Sequence, residues 1–254
     1  TMQKLLSIVL FGLILLNCSG NKPDVTIDLE SRFNQGKAFL EDEKYLRAQE
    51  EFQYVVIRGT GSDLGDDAQF YLGESFFLNK EYLLAISEFE KLARKMAFSP
   101  YVEKARYRIC EAYDIESPEY YLDQTFSQKA LERYQEFIED FPSSPKVNEA
   151  LAAIQELRNK MAFKILETGV LYIKMEEFES AIFAYEQLIA NFYDTSYAEE
   201  AHIGIIKSHY LLKNVESAES YWNDNNHKIK SKDLREKAQK HINNAKKSSE
   251  KDSN

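Results

Sequence analysis

The residues that could do chemistry in this chain are few and widely separated. His202 and His209 lie seven residues apart on one predicted helix near Glu199, whereas a helical zinc site needs two histidines four residues apart. The two cysteines, Cys18 and Cys110, are too few for a disulfide framework. The sequence has no Gly-rich nucleotide loop, no Gly-x-Ser-x-Gly elbow and no Cys-x-x-Cys pair. It therefore predicts a non-enzyme without cofactor or metal, whose histidines are packing or surface residues.

Composition and charge argue against several classes of fold and against general nucleic-acid binding. The 254 residues are 44% apolar, enough for a sizeable core, and include 16 Phe and 16 Tyr. Only 9 Gly and 5 Pro are present, which disfavours collagen, disorder and most all-β folds and suits packed helices. With 32 Lys plus Arg against 42 Asp plus Glu, the net charge of -10 argues against general binding to nucleic acid.

The N-terminal segment predicts export and lipid attachment. Lys4 precedes an apolar run too short to span a bilayer, so residues 1–17 are predicted to be a signal peptide. The run ends in Leu15-Leu16-Asn17-Cys18, which resembles the lipobox of bacterial lipoproteins, where the cysteine is acylated. Cys18 is therefore the predicted lipid attachment site, and residues 18–27 form a tether. The alternative is an ordinary cleaved secretory signal with an incidental cysteine.

A repeated pattern of small and aromatic residues indicates the fold. An Ala followed four residues later by an aromatic residue is typical of the second helix of a tetratricopeptide repeat, and it occurs at Ala48/Phe52, Ala85/Phe89, Ala130/Tyr134, Ala181/Tyr185 and Ala218/Trp222. In three first helices a glycine precedes an aromatic residue by three positions: Gly36, Gly73 and Gly169. Cys110 and Lys207 take the glycine's place in repeats three and five, so Cys110 is interpreted as a small core residue. The pattern predicts an all-α superhelix of about five helix-turn-helix units.

Two insertions and a change of charge organise the chain. A loop is predicted over 115–123, and helical spacing continues from about 146 to 174, which predicts one long helix joining two sub-arrays. Repeats one to three then occupy 28–144, and the long helix with repeats four and five occupies 145–227. Residues 228–254 hold nine basic and four acidic residues and form a basic C-terminal helix and tail, interpreted as a solvated cap helix with a membrane or nucleic-acid patch as the alternative.

Four sequence segments, added to the repeats, resemble those of a known protein family. They are Leu122-Asp123-Gln124-Thr125 after the insertion, Phe137 to Ser144, Leu157-Arg158-Asn159-Lys160, and Asn191-Phe192-Tyr193-Asp194-Thr195. Together with the lipobox-like start, they make the chain similar to the BamD family of outer-membrane β-barrel assembly lipoproteins over about residues 28 to 225.

The resemblance implies a function and a location. The protein would be lipid-anchored in the outer membrane and face the periplasm. Its partners would be the periplasmic domains of BamA, unfolded outer-membrane β-barrel proteins and other lipoproteins of the assembly complex, with no nucleic acid. The C-terminal repeats, roughly 165–225, would hold BamA, which leaves the first three repeats for substrate.

The repeat register also predicts a peptide groove on the inner face of the first three repeats. Apolar rings beside cations suit an extended peptide that ends in an aromatic residue and a free carboxylate, the typical end of barrel substrates. Lys104 and Arg108, four residues apart, would hold the carboxylate. The predicted lining is Phe33, Lys37, Leu40, Phe70, Phe77, Lys104, Tyr107 and Arg108. The alternative is that the aromatics pack against the next repeat and the cations balance Glu103 and Glu111.

Two other functions remain open at this point. A lipoprotein that assembles another envelope machine, such as a pilus or a secretin, would share the anchor and the repeats. A glycan-binding lipoprotein can also be built on such repeats, but those chains are about twice as long and carry large insertions with exposed aromatic platforms, whereas this sequence has one short insertion.

Overall fold

A computed structural model describes residues 25–59, 61–62 and 64–252 of the chain. Within these ranges the fold is all-α, as predicted, with eleven α-helices and one 3₁₀ turn. The helices are α1 (Val25–Glu41), α2 (Tyr45–Arg58), α3 (Gly65–Leu78), α4 (Tyr82–Lys95), α5 (Val102–Ile115), α6 (Thr125–Asp140), α7 (Val147–Lys174), α8 (Phe178–Phe192), α9 (Tyr197–Leu211), α10 (Val215–Asn225) and α11 (Lys232–Asp252), with the 3₁₀ turn at Asn226–Lys228. The predicted signal peptide and the lipid attachment site Cys18 lie outside the described residues.

The chain divides into two compact units, Thr1–Tyr101 and Val102–Asn254. The first contains α1 to α4, each packed on the next, which are repeats one and two. The second contains repeats three to five and α11. The long helix α7 packs against α6 as well as α8 and α9, so repeat three lies in the second unit. The division into two sub-arrays joined by α7 after residue 144 stays a prediction.

A glycine facing an aromatic ring brings the two helices of a repeat into close contact. A Cβ added at Gly73 would lie 2.5 Å from Cε1 of Phe89, well inside the usual contact distance between carbons. The ring itself is fully buried. The same contact joins Gly36 to Phe52 and Gly169 to Tyr185. The predicted pairing of the two sequence patterns is confirmed.

The turns inside four of the repeats share one backbone geometry. In repeat two, Lys80 has φ 63°, its N–H donates to the carbonyl of Phe77 at 3.0 Å, and the N–H of Glu81 donates to Phe76 at 2.9 Å. This is the Schellman ending of a helix, which satisfies carbonyls left over in the last turn. The left-handed residues are Glu43, Lys80, Glu176 and Lys213. Because the turn has one fixed form, it sets the angle at which each second helix returns.

Repeat three differs from the others at the glycine position. Cys110 is fully buried there, and its thiol donates to the carbonyl of Arg106 at 3.2 Å. Burial raises the pKa of the thiol, which keeps it protonated and unreactive. Cys110 is thus a core residue, as interpreted from the sequence.

The basic C-terminal helix covers the last repeat. Ala238 and Ile242 on α11 are buried in a cluster with Ile206 of α9. The carboxylate of Glu199 accepts two backbone N–H groups just ahead of α11, at 3.0 and 2.9 Å, and fixes the approach of the chain. Helix α11 therefore covers the apolar surface of repeat five with one of its faces.

Candidate functional site

Three of the eight predicted groove residues contribute to the core. Phe33, Phe70 and Tyr107 are 7%, 0% and 8% exposed. In the first unit, the ring of Phe33 packs edge-on against Tyr71 with 5.6 Å between centroids. In the second, Tyr107 packs on Phe137 at 5.2 Å, and burial raises the pKa of its hydroxyl. These rings hold neighbouring helices together, so they offer little surface to a ligand in this conformation.

The other five predicted groove residues are partly or fully exposed: Lys37, Leu40 and Phe77 in the first unit, and Lys104 and Arg108 in the second. The guanidinium of Arg108 donates to the carboxylate of Glu111 at 2.8 Å, so part of its charge is already balanced on its own helix. The peptide groove itself stays a prediction.

The insertion of repeat three is docked on the long helix. The ring of Tyr120 meets that of Phe163 on α7 with 4.6 Å between centroids. The ammonium of Lys164 donates to the carbonyl of Leu122 at 2.5 Å, and Lys160 bonds the hydroxyl of Ser117. Apolar and polar contacts thus hold the loop in place from one face of a single helix.

The end of the insertion starts helix α6. The carboxylate of Asp123 accepts the N–H of Thr125 at 2.9 Å, and hydrogen bonding with the side chain of Thr125, followed by this backbone bond, lowers the pKa of Asp123. The hydroxyl of Ser127 donates to the side-chain oxygen of Gln124 at 2.7 Å. The Asp-Gln-Thr string, one of the four segments of the family pattern, therefore closes the loop and begins the next helix.

A cavity of about 350 Å³ lies between the insertion and α7. Tyr121 and Leu171 in its wall are 66% and 54% exposed. Lys164 and Lys174 bring two cations to the same wall, and its lining is Tyr120, Tyr121, Lys164, Glu167, Thr168, Leu171 and Lys174. Aromatic and aliphatic surface beside ammonium groups is the chemistry that the sequence assigned to the groove, found here at a different place.

An arginine on the long helix fastens the turn between α8 and α9. Arg158 donates to both carboxylate oxygens of Asp194, at 2.9 Å to one of them, and to the carbonyl of Asn191 at 2.8 Å. Its guanidinium lies 5.2 Å from the ring centroid of Phe192, and it holds the pKa of Asp194 below its usual value. No repeat spacing pairs these two residues, although both belong to segments of the family pattern.

Repeat four and the turn that follows it carry large apolar side chains on their surface. Met175, Phe183 and Tyr193 are 59%, 63% and 74% exposed. None of the three is needed for the core contacts of the repeat, and exposed apolar surface of this size is a candidate for contact with a protein partner.

His202, one of the two histidines of α9, is packed in the core. His202 is 3% exposed, its Nδ1 lies 2.7 Å from the hydroxyl of Tyr221, and burial lowers its pKa to about 4. In the described ranges, no group of three His, Cys, Asp or Glu side chains is placed to hold a metal ion. No helix in that same part of the chain has the length and apolarity to cross a bilayer.

Comparisons with known proteins agree with this architecture. The family model described as "YfiO: Outer membrane lipoprotein" matches residues 27–223. The chain is 24% identical over 230 residues to "Outer membrane protein assembly factor BamD" of Rickettsia prowazekii (strain Madrid E), covering 87% of this chain and 89% of that protein.

Among solved structures, it is similar to the "TPR2AB-domain:pHSP90-complex of yeast Sti1", with 14% identity and a TM-score of 0.46 over 85% of this chain and 99% of that one. It is also similar to a thermophilic tetratricopeptide-repeat protein of Thermus thermophilus, with 14% identity and a TM-score of 0.36 over 84% and 98%. The helices, the repeated turns and the family match together show a tetratricopeptide-like array, and the chain belongs to the YfiO/BamD family of outer membrane lipoproteins.

Proposed function

We propose that the protein is a non-enzymatic scaffold subunit of the outer-membrane β-barrel assembly complex. It is anchored through Cys18 in the outer membrane, faces the periplasm, holds the periplasmic domains of BamA and receives unfolded β-barrel proteins before their insertion. The observation that carries the proposal is the family match across residues 27–223, which spans all five repeats and the insertion between them.

The docking surface for BamA is assigned to the C-terminal repeats. The second unit supports this assignment because α7 ties the insertion and the α8–α9 turn into one body, through Lys164 on one side and Arg158 on the other. A rigid body of this kind can present Phe183 and Tyr193 without reorganising on binding.

The test is capture of BamA from solubilised membranes by the tagged protein, compared between two matched variants. Phe183 in α8 and Ile57 in α2 are 63% and 65% exposed, so each tolerates Glu without a core penalty. We expect Phe183→Glu to lose BamA and Ile57→Glu to retain it. Full retention by Phe183→Glu would move the docking surface elsewhere, and a wild-type protein that captures a pilus or secretin component instead of BamA would overturn the proposed function.

Surface substitutions test this assignment better than a deletion. Removing residues 195–254 should also release BamA, but α9 packs on both α7 and α8, so the deletion uncovers the core of repeat four. Loss of BamA by the deletion counts only where circular dichroism shows that the remaining helices are intact.

Substrate recognition is assigned to apolar surface beside cations, with two candidate places. A peptide that copies the C-terminus of a barrel protein should bind more weakly when its carboxylate is amidated. Lys104→Ala should weaken binding if the predicted groove holds the carboxylate, and Lys174→Ala should do so if the cavity under the insertion holds it. Binding that is indifferent to amidation and to both substitutions would contradict either place.

A further inference from the structure

The C-terminal helix α11 has two chemically different faces. Its apolar face is already used, because Ala238, Ile242 and Ala245 are buried against the last repeat. Its opposite face is exposed and carries lysines at Lys232, Lys237, Lys240 and Lys247. The family match ends at residue 223, so this helix is a feature that the proposed function does not use.

The positive charge of this region is local and strong. Residues 228–247 contain eight Lys or Arg and two Asp or Glu, a net charge of +6, whereas residues 18–227 contain 22 basic and 38 acidic residues, a net charge of -16. Three of the cations have structural partners: Lys246 pairs with Glu219 at 2.5 Å, Arg235 donates to the carbonyl of Ile229 at 2.7 Å, and Lys228 donates to the side-chain oxygen of Asn225 at 2.9 Å.

The four exposed lysines keep most of their charge available. Lys232 is 3.8 Å from Glu236, and both side chains are largely exposed, so solvent screens that pair. The lysine stems can lie along a surface while their ammonium groups reach its phosphates. The face therefore fits a broad anionic surface more closely than a single bound group.

We propose that the exposed face of α11 binds the anionic headgroups of a membrane surface. The partner is a membrane because the chain belongs to a lipoprotein family and works beside a bilayer. At physiological ionic strength charges act over about 8–10 Å, so α11 meets the headgroups as a basic surface even though the whole chain is acidic. A lipid anchor would raise the effective concentration of that surface, so a weak contact suffices to orient the second unit.

The experiment measures co-sedimentation of the mature chain, residues 18–254 with Cys18→Ser, with vesicles. This variant has no acyl chain, so binding reports the protein surface alone. Vesicles of phosphatidylethanolamine and phosphatidylglycerol should bind it, and vesicles of neutral phosphatidylcholine should not. Binding should fall steeply as salt rises from about 0.1 M to about 1 M.

Two variants of equal net charge locate the contact. Replacing Lys232, Lys237, Lys240 and Lys247 together by Gln should weaken binding to the anionic vesicles by several hundredfold, at about fivefold for each lysine. The control replaces four exposed lysines of other helices and turns: Lys44, Lys80, Lys95 and Lys129. It should bind like the parent, and circular dichroism should show that both variants remain folded.

Three results would overturn the proposal. Equal loss in the two variants would mean that net charge, not α11, governs binding. Equal binding to neutral vesicles would indicate apolar insertion. No vesicle binding, together with self-association that low salt strengthens and the α11 substitutions abolish, would assign the face to the acidic body of a second copy. None of these results bears on capture of BamA, so the proposed function is tested separately.

Discussion

The contact between Gly73 and Phe89 gives the most direct test of the repeat architecture. Replacing Gly73 by Leu puts a side chain where even its first carbon would lie 2.5, 2.7 and 2.9 Å from three carbons of the ring. Carbons in contact are normally about 3.5–4.0 Å apart, so the ring must move by about 1 Å. It has little room, because Phe89 is fully buried and packs on Phe70 with 5.7 Å between centroids.

The size of the effect follows from two opposing contributions. Leu is a better helix former than Gly by roughly 0.8 kcal/mol, which favours the variant. Overpacking a close helix contact costs about 1–3 kcal/mol, and the cost of accommodating a whole isobutyl group lies toward the upper end of that range. After the gain in helix propensity is subtracted, Gly73→Leu should lower the free energy of unfolding by about 1–2 kcal/mol. For a chain of this size, that corresponds to a fall in melting temperature of about 2–8 °C.

The assay is thermal and urea unfolding of four proteins in a double-mutant cycle. Phe89→Leu replaces the ring that Gly73 faces by a smaller side chain. The cost of Gly73→Leu should therefore shrink in that background by at least about 0.5 kcal/mol. Ala38→Leu, on the exposed side of α1, is the control and should change stability by no more than about 0.5 kcal/mol. An unchanged melt for Gly73→Leu, or the same cost in both backgrounds, would refute the contact and with it the alignment of the repeats.

The remaining predictions concern single residues. Palmitate label should enter the wild type but not Cys18→Ala, and a soluble wild-type protein would contradict the anchor. Lys80→Ile should destabilise by about 1 kcal/mol in urea unfolding because a β-branched residue is strained at φ 63°, whereas Lys80→Gly should not. The pKa of His202 is lowered from 6.5 to about 4, so the unfolded chain takes up its proton first and stability should fall as pH drops from about 6.5 toward 4, less so in His202→Gln. Arg158→Lys loses the two-pronged bond to Asp194 and should cost about 1 kcal/mol in thermal unfolding.

The helices and their closest contacts could be predicted from the sequence because they depend on local spacing. A glycine and an aromatic residue sixteen positions apart define both helices of a repeat, and the structure brings Gly73 onto Phe89. The helical run from 146 to 174 and the loop before α6 follow equally from periodicity and from breaker residues. The same reasoning placed Cys110 in the core, where a small residue is required.

Contacts between distant segments could not be predicted in this way. Arg158 and Asp194 are 36 residues apart, and no periodic pattern pairs an arginine with an aspartate. Gly204 was missed because it approaches Tyr185 of the preceding repeat, while repeat five was aligned on Lys207. The repeat register assigned Phe33 and Phe70 to the inner face. Their burial depends on the neighbouring helices that cover that face, and the spacing of residues within one helix does not identify those neighbours.

The segments of the family pattern and the proposed binding surface consist of different residues. Substitutions can therefore be sorted into those that lower stability and those that only abolish partner binding. Three of the four pattern segments lie on α7 or on loops that α7 holds through Arg158 and Lys164, so they maintain the body of the second unit. Phe183 is largely exposed and lies outside the core cluster of repeat four, so it is open to a partner. Arg158→Ala should therefore lower the melting temperature and reduce BamA capture together, whereas Phe183→Glu should abolish capture at an unchanged melting temperature. If Arg158→Ala abolished capture without lowering the melting temperature, Arg158 would itself lie in the docking surface, and the distinction between body and surface would be wrong at that residue.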